Sequence, residues 1–233
     1  MVSGRDLAEL AALSHEIESC RACPRLVAWR EQVAAERRAS FRDEEYWGRP
    51  VAGFGDPAAV IAVVGLAPAA HGANRTGRIF TGDRSGDWLF ASMHRTGLAN
   101  QPLSVSRDDG LRLNGVWVTA AVRCAPPGNK PAPAERDRCG IFLERELALV
   151  GPVLVVVVLG RFAYDVMTRL LSVRPKPRFG HGVEVAAPGG VTVVCSYHPS
   201  QQNTFTGKLT EPMTDAVFRR AAELAGRPAP PAG

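Results

Sequence analysis

The sequence predicts an α/β domain of three layers, α/β/α, built on a mainly parallel sheet. Three observations predict it. Short apolar runs rich in β-branched residues (Val60–Val64, Val116–Thr119, Pro152–Leu159 and Val191–Ser196) alternate with longer stretches of helical periodicity. The run Pro152–Leu159, PVLVVVVL, has no polar face, as a strand covered on both sides requires. Turn-rich polar segments leave the carboxyl ends of these runs, where an open α/β sheet places its ligand. The 233 residues, 45% hydrophobic and 22% charged, supply one substantial core, giving a single expected domain over 1–225 and a tail over 226–233.

In chain order, Arg5–Ser19 has apolar residues at helical intervals and a polar opposite face, so it reads as an amphipathic helix ending at Cys20. Cys20-Arg21-Ala22-Cys23-Pro24 sets two thiols one tight turn apart, with the proline placed to open the next element. Arg25–Tyr46 is charged and helical in pattern. Trp47–Pro57 has three glycines and two prolines and reads as loop. After the strand Val60–Val64 comes Gly65–Asp83, GLAPAAHGANRTGRIFTGD, in which turn formers and hydrogen-bonding groups are concentrated. Gly86–Leu98 is helical, beginning just after Asp83.

The strand Val116–Thr119 runs through Ala120–Cys124 into a proline-rich loop, and Pro133–Leu149 is a helix containing Cys139. Gly160 turns the chain from the strand Pro152–Leu159 into a helix over Arg161–Leu171. Val183–Ala187 and Val191–Ser196 flank Pro188-Gly189-Gly190 as a hairpin or two neighbouring strands. The second delivers Tyr197-His198-Pro199-Ser200 to a strand end. Thr210–Ala225 is the final helix.

A formal charge of +5 and a pI near 9.2 favour an anionic partner. No apolar run reaches the roughly 20 residues of a spanning helix, and the N-terminus MVSGRDLAEL lacks the apolar core of a signal peptide. The expected compartment is the cytoplasm, with no membrane partner. Cysteines there are reduced. Cys20, Cys23, Cys124 and Cys139 would meet if the N-terminal helix packs beside the central strands, and four thiolates suit either an all-thiolate zinc site or a [4Fe–4S] cluster. Spacing alone leaves both open. Cys195, inside a strand, reads as a small core residue.

Four segments now stand out together: Gly65-Leu66-Ala67-Pro68-Ala69-Ala70-His71-Gly72; Asn74-Arg75-Thr76-Gly77-Arg78 with Phe80-Thr81-Gly82-Asp83; Arg123-Cys124-Ala125-Pro126-Pro127; and His198-Pro199-Ser200. They resemble the uracil-DNA glycosylase superfamily, and within it family five, the type B glycosylases that carry an iron–sulfur cluster. The resemblance runs from Cys20 to about Thr210. It implies a four-stranded parallel sheet between helices and a structural [4Fe–4S] cluster, rather than zinc, on Cys20, Cys23, Cys124 and Cys139. It also implies a monomer that acts on DNA, double- or single-stranded, containing uracil or other deaminated bases.

Cleaving an N-glycosidic bond in DNA needs a pocket for an extruded base, a group supporting positive charge on the sugar, a donor for the departing base and a water nucleophile. The resemblance makes Phe80 the stacking platform for the base. Gly65, Leu66 and Ala67 then form an apolar floor. Asp83, ionised at neutral pH, would stabilise an oxocarbenium-like sugar and orient the water, a role compatible with capping the following helix. His198, held out of helix by Pro199, would donate a hydrogen bond to the base oxygen. Asn74 and His71 are candidates for polar contacts with base or phosphate.

Two departures matter. Relatives in other families carry an acid or amide near Leu66 or Ala67, which shifts the work to Asp83. Many relatives also carry an asparagine where this chain has Ala120, so the resemblance implies a broader pocket that admits hypoxanthine, xanthine or ethenocytosine. For DNA, Arg75, Arg78, Arg84 and Arg123 are expected to meet phosphate. Gln201, Asn203, Phe205 and Lys208 form a loop able to wedge into the stack or contact the backbone. No lysine falls in the three pocket motifs, which favours hydrolysis over a Schiff base. Two readings compete: an inactive iron–sulfur DNA-binding protein of the same fold and a four-cysteine electron carrier, the latter leaving the pocket motifs unexplained.

Overall fold

The computed structural model describes residues 3–227. Helix α1 (Gly4–Ser19) starts on a capping box, in which Ser3 Oγ accepts the Asp6 N–H at 3.2 Å and the Asp6 carboxylate accepts the Ser3 N–H at 2.9 Å. Pro24 opens α2 (Pro24–Glu36). The helical pattern read as far as Tyr46 stops ten residues earlier because Arg37 takes φ 55°, which no helix accommodates. The remaining elements are β1 (Phe54–Gly55), β2 (Ile61–Gly65), α3 (Ala73–Thr76), α4 (Arg84–Arg95), β3 (Val116–Ala120) and α5 (Pro133–Leu149). They continue with β4 (Val155–Leu159), α6 (Arg161–Leu170), β5 (Glu184–Ala186), β6 (Thr192–Ser196), α7 (Gln201–Phe205) and α8 (Glu211–Leu224).

The sheet runs β1-β3-β2-β4-β6-β5. Its four central strands are parallel, as expected, with Gly65 opposite Ala120 and Val158 opposite Cys195. Six strands rather than four are present because each edge gains an antiparallel strand. On one side β5 forms the hairpin with β6; on the other Phe54 and Gly55, within the segment read as loop, pair with Val118 and Trp117. A two-residue strand beside glycines and prolines leaves no hydrophobic alternation in the sequence.

Each central strand alternates its side chains between two buried layers. Ile61, Val63, Val155 and Val157 face Leu89, Phe90 and Met93 of α4 and Phe218 and Ala221 of α8. Ala62, Val64, Val156 and Val158 face Leu143 of α5 and Ala163, Tyr164 and Met167 of α6. Helices cover both faces, so polar alternation is missing from the strands and the apolar runs are continuous. Helices α1 and α2 add a third cluster beside α5, centred on Leu13, Ile17, Leu26 and Phe142. Arg123, just beyond β3, is anchored in the interior by Glu146 of α5 at 2.8 Å and by Thr119 Oγ1 at 2.5 Å.

Of the residues expected to begin the tail, Gly226 is exposed, while Arg227 donates to Asn114 Oδ1 at 2.7 Å. The rest of that tail lies outside the described residues. Among the described residues no helix is long and apolar enough to cross a membrane.

Candidate active site

Parallel strands point their carboxyl ends the same way, so β2 and β6, on either side of β4, release their following loops at one edge of the sheet. Between the loops opens a cavity of about 490 Å³, within the range of small-molecule sites. Leu66, Ala67, Phe80, Asp83, His198 and Gln201 all line it, so these six sequence-derived candidates meet in one place.

Phe80 is buried at φ 53°, a conformation that costs a bulky residue ~1–3 kcal/mol and persists only where packing enforces it. Its ring lies on Gly65, where an added Cβ would sit 2.7 Å from the ring, and its carbonyl is pressed against Gly86. Gly65 therefore serves the pocket through its missing side chain. Across the cavity the Phe80 ring is 6.1 Å from the His198 imidazole, tilted by 36°.

Asp83 is the N-cap of α4: its Oδ1 accepts the N–H groups of Ser85 at 2.9 Å and Gly86 at 3.0 Å. The other oxygen, Oδ2, is left to a space over Gly72 that any Cβ would overlap. Burial raises the Asp83 pKa; the Gly86 and Ser85 N–H groups and the field of Arg75 oppose that rise. One oxygen is fixed by backbone donors and one remains available for chemistry.

His198 sits against Gly160, whose φ of +91° favours glycine and where an added Cβ would lie 3.2 Å from the His198 Cβ. The His198 carbonyl accepts Asn203 Nδ2 at 2.9 Å, so Asn203 braces the histidine loop. Burial pushes the imidazole down to about 4. At neutral pH it is an uncharged ring with one N–H to donate.

Other candidates lie elsewhere. Asn74 is fully buried and donates Nδ2 to the Arg30 carbonyl at 3.2 Å, so it braces the loop against α2 and does not line the cavity. Ala120 is buried beside Gly65 in the sheet and also stays out of the lining. His71 turns its Nδ1 to the Tyr46 hydroxyl at 3.1 Å. The phosphate role read for three arginines is corrected, because their guanidinium groups are buried and already engaged. Arg75 binds Glu44, the His71 carbonyl and the Gly82 carbonyl. Arg78 binds Asp109 at 2.7 Å and Ser104 at 2.8 Å, and Arg123 is held by Glu146. Buried, hydrogen-bonded cations of this kind hold loops together.

Arg84 is exposed at the cavity rim, its guanidinium 4.8 Å above the ring of Phe205, which is 67% exposed. Lys208 is exposed and lies 4.9 Å over the Tyr197 ring. Sequence reasoning missed Asn129, Ser85 and Ile79 as lining residues. Asn129 has φ 57°, and the Gly128-Asn129 dipeptide, prone to left-handed turns, was its one sequence signal.

The four cysteines do converge. Cys20, Cys23, Cys124 and Cys139 belong to one cluster with Leu13, Ile17 and Phe142. No three His, Cys, Asp or Glu side chains among the described residues close on a point fit for a single ion. Four clustered cysteine sulfurs are a donor set that suits either a tetrahedral zinc site or a [4Fe–4S] cluster. Burial pushes the Cys124 thiol up to about 12 and raises that of Cys139, which favours the protonated thiols. Donors are already aimed at the sulfurs: Arg30 Nη1 lies 2.9 Å from Cys124 Sγ and the Arg123 N–H 3.4 Å from Cys139 Sγ. Cys195 is fully buried among β-strand side chains, apart from this group.

The family model described as Uracil DNA glycosylase superfamily matches residues 52–222, a span that takes in both catalytic candidates and the cavity floor. The chain belongs to the uracil-DNA glycosylase superfamily. Within this superfamily it is 56% identical over 223 residues to the Type-5 uracil-DNA glycosylase of Mycobacterium tuberculosis, covering 94% of this chain and 82% of that one. It is 51% identical over 216 residues to the Type-5 uracil-DNA glycosylase of Thermus thermophilus, covering 92% and 98%. The Type-4 uracil-DNA glycosylase of Thermotoga maritima is 28% identical over 201 residues, covering 86% and 85%.

Proposed function

We propose that this chain is a monofunctional DNA repair glycosylase that receives uracil flipped out of DNA and hydrolyses its N-glycosidic bond, leaving an abasic site. The observation that carries this reading is one cavity holding the Phe80 ring, the half-buried carboxylate of Asp83 and the uncharged imidazole of His198. The base stacks on Phe80. As the C1′–N1 bond breaks, its electron pair leaves with the base and the sugar becomes positive. The free Oδ2 of Asp83 faces that charge and takes a proton from the water whose oxygen bonds C1′. The His198 N–H donates to the base oxygen where negative charge collects. Water is the nucleophile, and no lysine is among the lining residues.

Leu66 and Ala67 give the pocket an apolar floor, and the buried Ala120 brings no amide to a base edge. Such a pocket rejects other deaminated or damaged bases weakly, so hypoxanthine, xanthine and ethenocytosine are further substrates in this reading. Base release from duplexes carrying each of the four bases tests it. Release of uracil alone overturns the broad pocket; release of none favours an inactive DNA-binding protein of this fold.

The protein works as a cytoplasmic monomer on DNA in this reading, without a membrane partner. Cys20, Cys23, Cys124 and Cys139 hold a [4Fe–4S] cluster, which pins the turn between α1 and α2 to the end of β3 and to α5. The cluster supplies structure rather than chemistry to base release, and zinc is the alternative occupant of the same four thiolates. On the DNA side, Arg84 and Lys208 are the phosphate partners at the rim, with Gln201 and Phe205 beside the opened stack. Two such contacts give log affinity a slope of about −2 against log salt, measured by fluorescence anisotropy, and Arg84→Ala reduces that slope by about one. Gly72→Ala would push the Asp83 carboxylate out of place. Base release is expected to fall on the order of 10²-fold while circular dichroism remains native.

A further inference from the structure

Arg30 of α2 is 1% exposed and, among the described residues, its guanidinium makes no hydrogen bond to a carboxylate. Its Nη1 donates to Cys124 Sγ at 2.9 Å, its Nη2 donates to the Cys20 carbonyl at 3.2 Å, and its Nε is buried without a partner. The nearby carboxylate of Glu31, 3.8 Å from Nη2, is half exposed and bound by Arg21. The contrast with Arg123 is direct. Arg123 is equally buried, yet Glu146 lies 2.8 Å away as its counter-charge. A guanidinium cannot shed its proton, so a buried one needs an anion.

Among the described residues the acceptors of the Arg30 guanidinium are the Cys124 sulfur and the Cys20 carbonyl, and of these only the thiol can become an anion. Arg30 touches two segments that bring ligand cysteines, the Cys20 turn and the chain after β3. Four thiolates around an iron–sulfur core carry a net negative charge, and hydrogen bonds to the sulfurs and nearby charge set both retention and reduction potential of such a group.

We infer that Arg30 is the buried counter-charge of the cluster and the hydrogen-bond donor to its Cys124 sulfur, a positioning residue that retains the cluster and raises its reduction potential. The inference rests on the cluster reading above. It is separate from base chemistry, because Arg30 does not line the cavity.

The test uses full-length protein purified without oxygen, as wild type, Arg30→Met, Arg30→Gln and Arg30→Lys. Iron content and visible absorbance are measured first. The rate of absorbance loss in chelator with a mild oxidant and the spectroelectrochemical midpoint follow. Arg30→Met and Arg30→Gln are expected to lose the cluster ~10–100-fold faster than wild type, with a lower midpoint, and Arg30→Lys to recover part of both. If Arg30→Met does not fold by circular dichroism, Arg30→Gln, which retains a polar amide, carries the comparison. An iron-free, colourless wild type removes the cluster reading and this inference with it. A wild type with its cluster and an Arg30→Gln variant matching it in loss rate and midpoint overturns the role of Arg30 alone. A side chain that only filled space would leave the midpoint unmoved.

Discussion

Replacing Asp83 with asparagine is expected to slow base release ~10²–10⁴-fold while leaving the protein at least as stable as wild type at neutral pH. Asparagine caps a helix as well as aspartate does, so the bonds from Ser85 and Gly86 survive the change. What disappears is the charge at Oδ2. The sign of the stability effect follows from the raised pKa of Asp83. A carboxyl that holds its proton to higher pH in the folded state binds more protons folded than unfolded between the two values. Stability from this group therefore falls as pH rises through that window, and the ionised form at neutral pH opposes folding. Removing the charge relieves that opposition. A variant that is slow because it is unfolded would melt below wild type; the expected variant melts at or above it.

Replacing His198 with alanine is expected to lower base release ~10²–10³-fold, the usual loss when a donor to a developing oxyanion is removed. Phe80 should still hold the base, so binding of DNA with an unreactive uracil analogue should change far less. The pH profile gives a second readout. Burial holds the imidazole down to about 4, below its ordinary 6.5, so it is neutral throughout the range in which Asp83 is ionised. Activity should fall on the acid side as Asp83 takes its proton and show no separate limb near pH 6.5. Stability behaves differently. The unfolded chain protonates His198 at about its ordinary value while the folded chain resists. The stabilising contribution is present above that value and is lost as pH falls from 6.5 toward about 4. His198→Ala should flatten that loss. An activity limb near pH 6.5 that vanishes in His198→Ala would show the histidine acting in its charged form and contradict the mechanism.

Much of this site was written in local sequence. The apolar runs at Val60, Val116, Pro152 and Val191 became the four parallel strands because burial on both faces leaves a continuous apolar signature. Asp83 was legible as a helix cap, and the His198-Pro199 pair as a strand-end turn. What stayed hidden depended on partners distant in the chain. Arg75 and Arg78 sit in a polar, glycine-rich loop that looks built for phosphate, yet Glu44 and Asp109, each 31 residues away, claim them. Nothing near Arg75 announces Glu44. Asn74 likewise looked like a pocket amide, and only the packing of α2 reveals that it serves the Arg30 carbonyl. The edge strand β1 was illegible because its two residues pair through backbone alone. The burial of Arg30 against Cys124 had no sequence sign at all.

The measurement that tests the central claim most directly is single-turnover hydrolysis of a duplex with one uracil, at enzyme excess, by wild type beside Asp83→Asn. Free base and abasic strand are both quantified. The account predicts equal amounts of uracil and intact abasic strand from the wild type, with no protein–DNA adduct surviving denaturation. It predicts a rate ~10²–10⁴-fold lower for Asp83→Asn at unchanged DNA affinity. An Asp83→Asn variant as fast as wild type would contradict it.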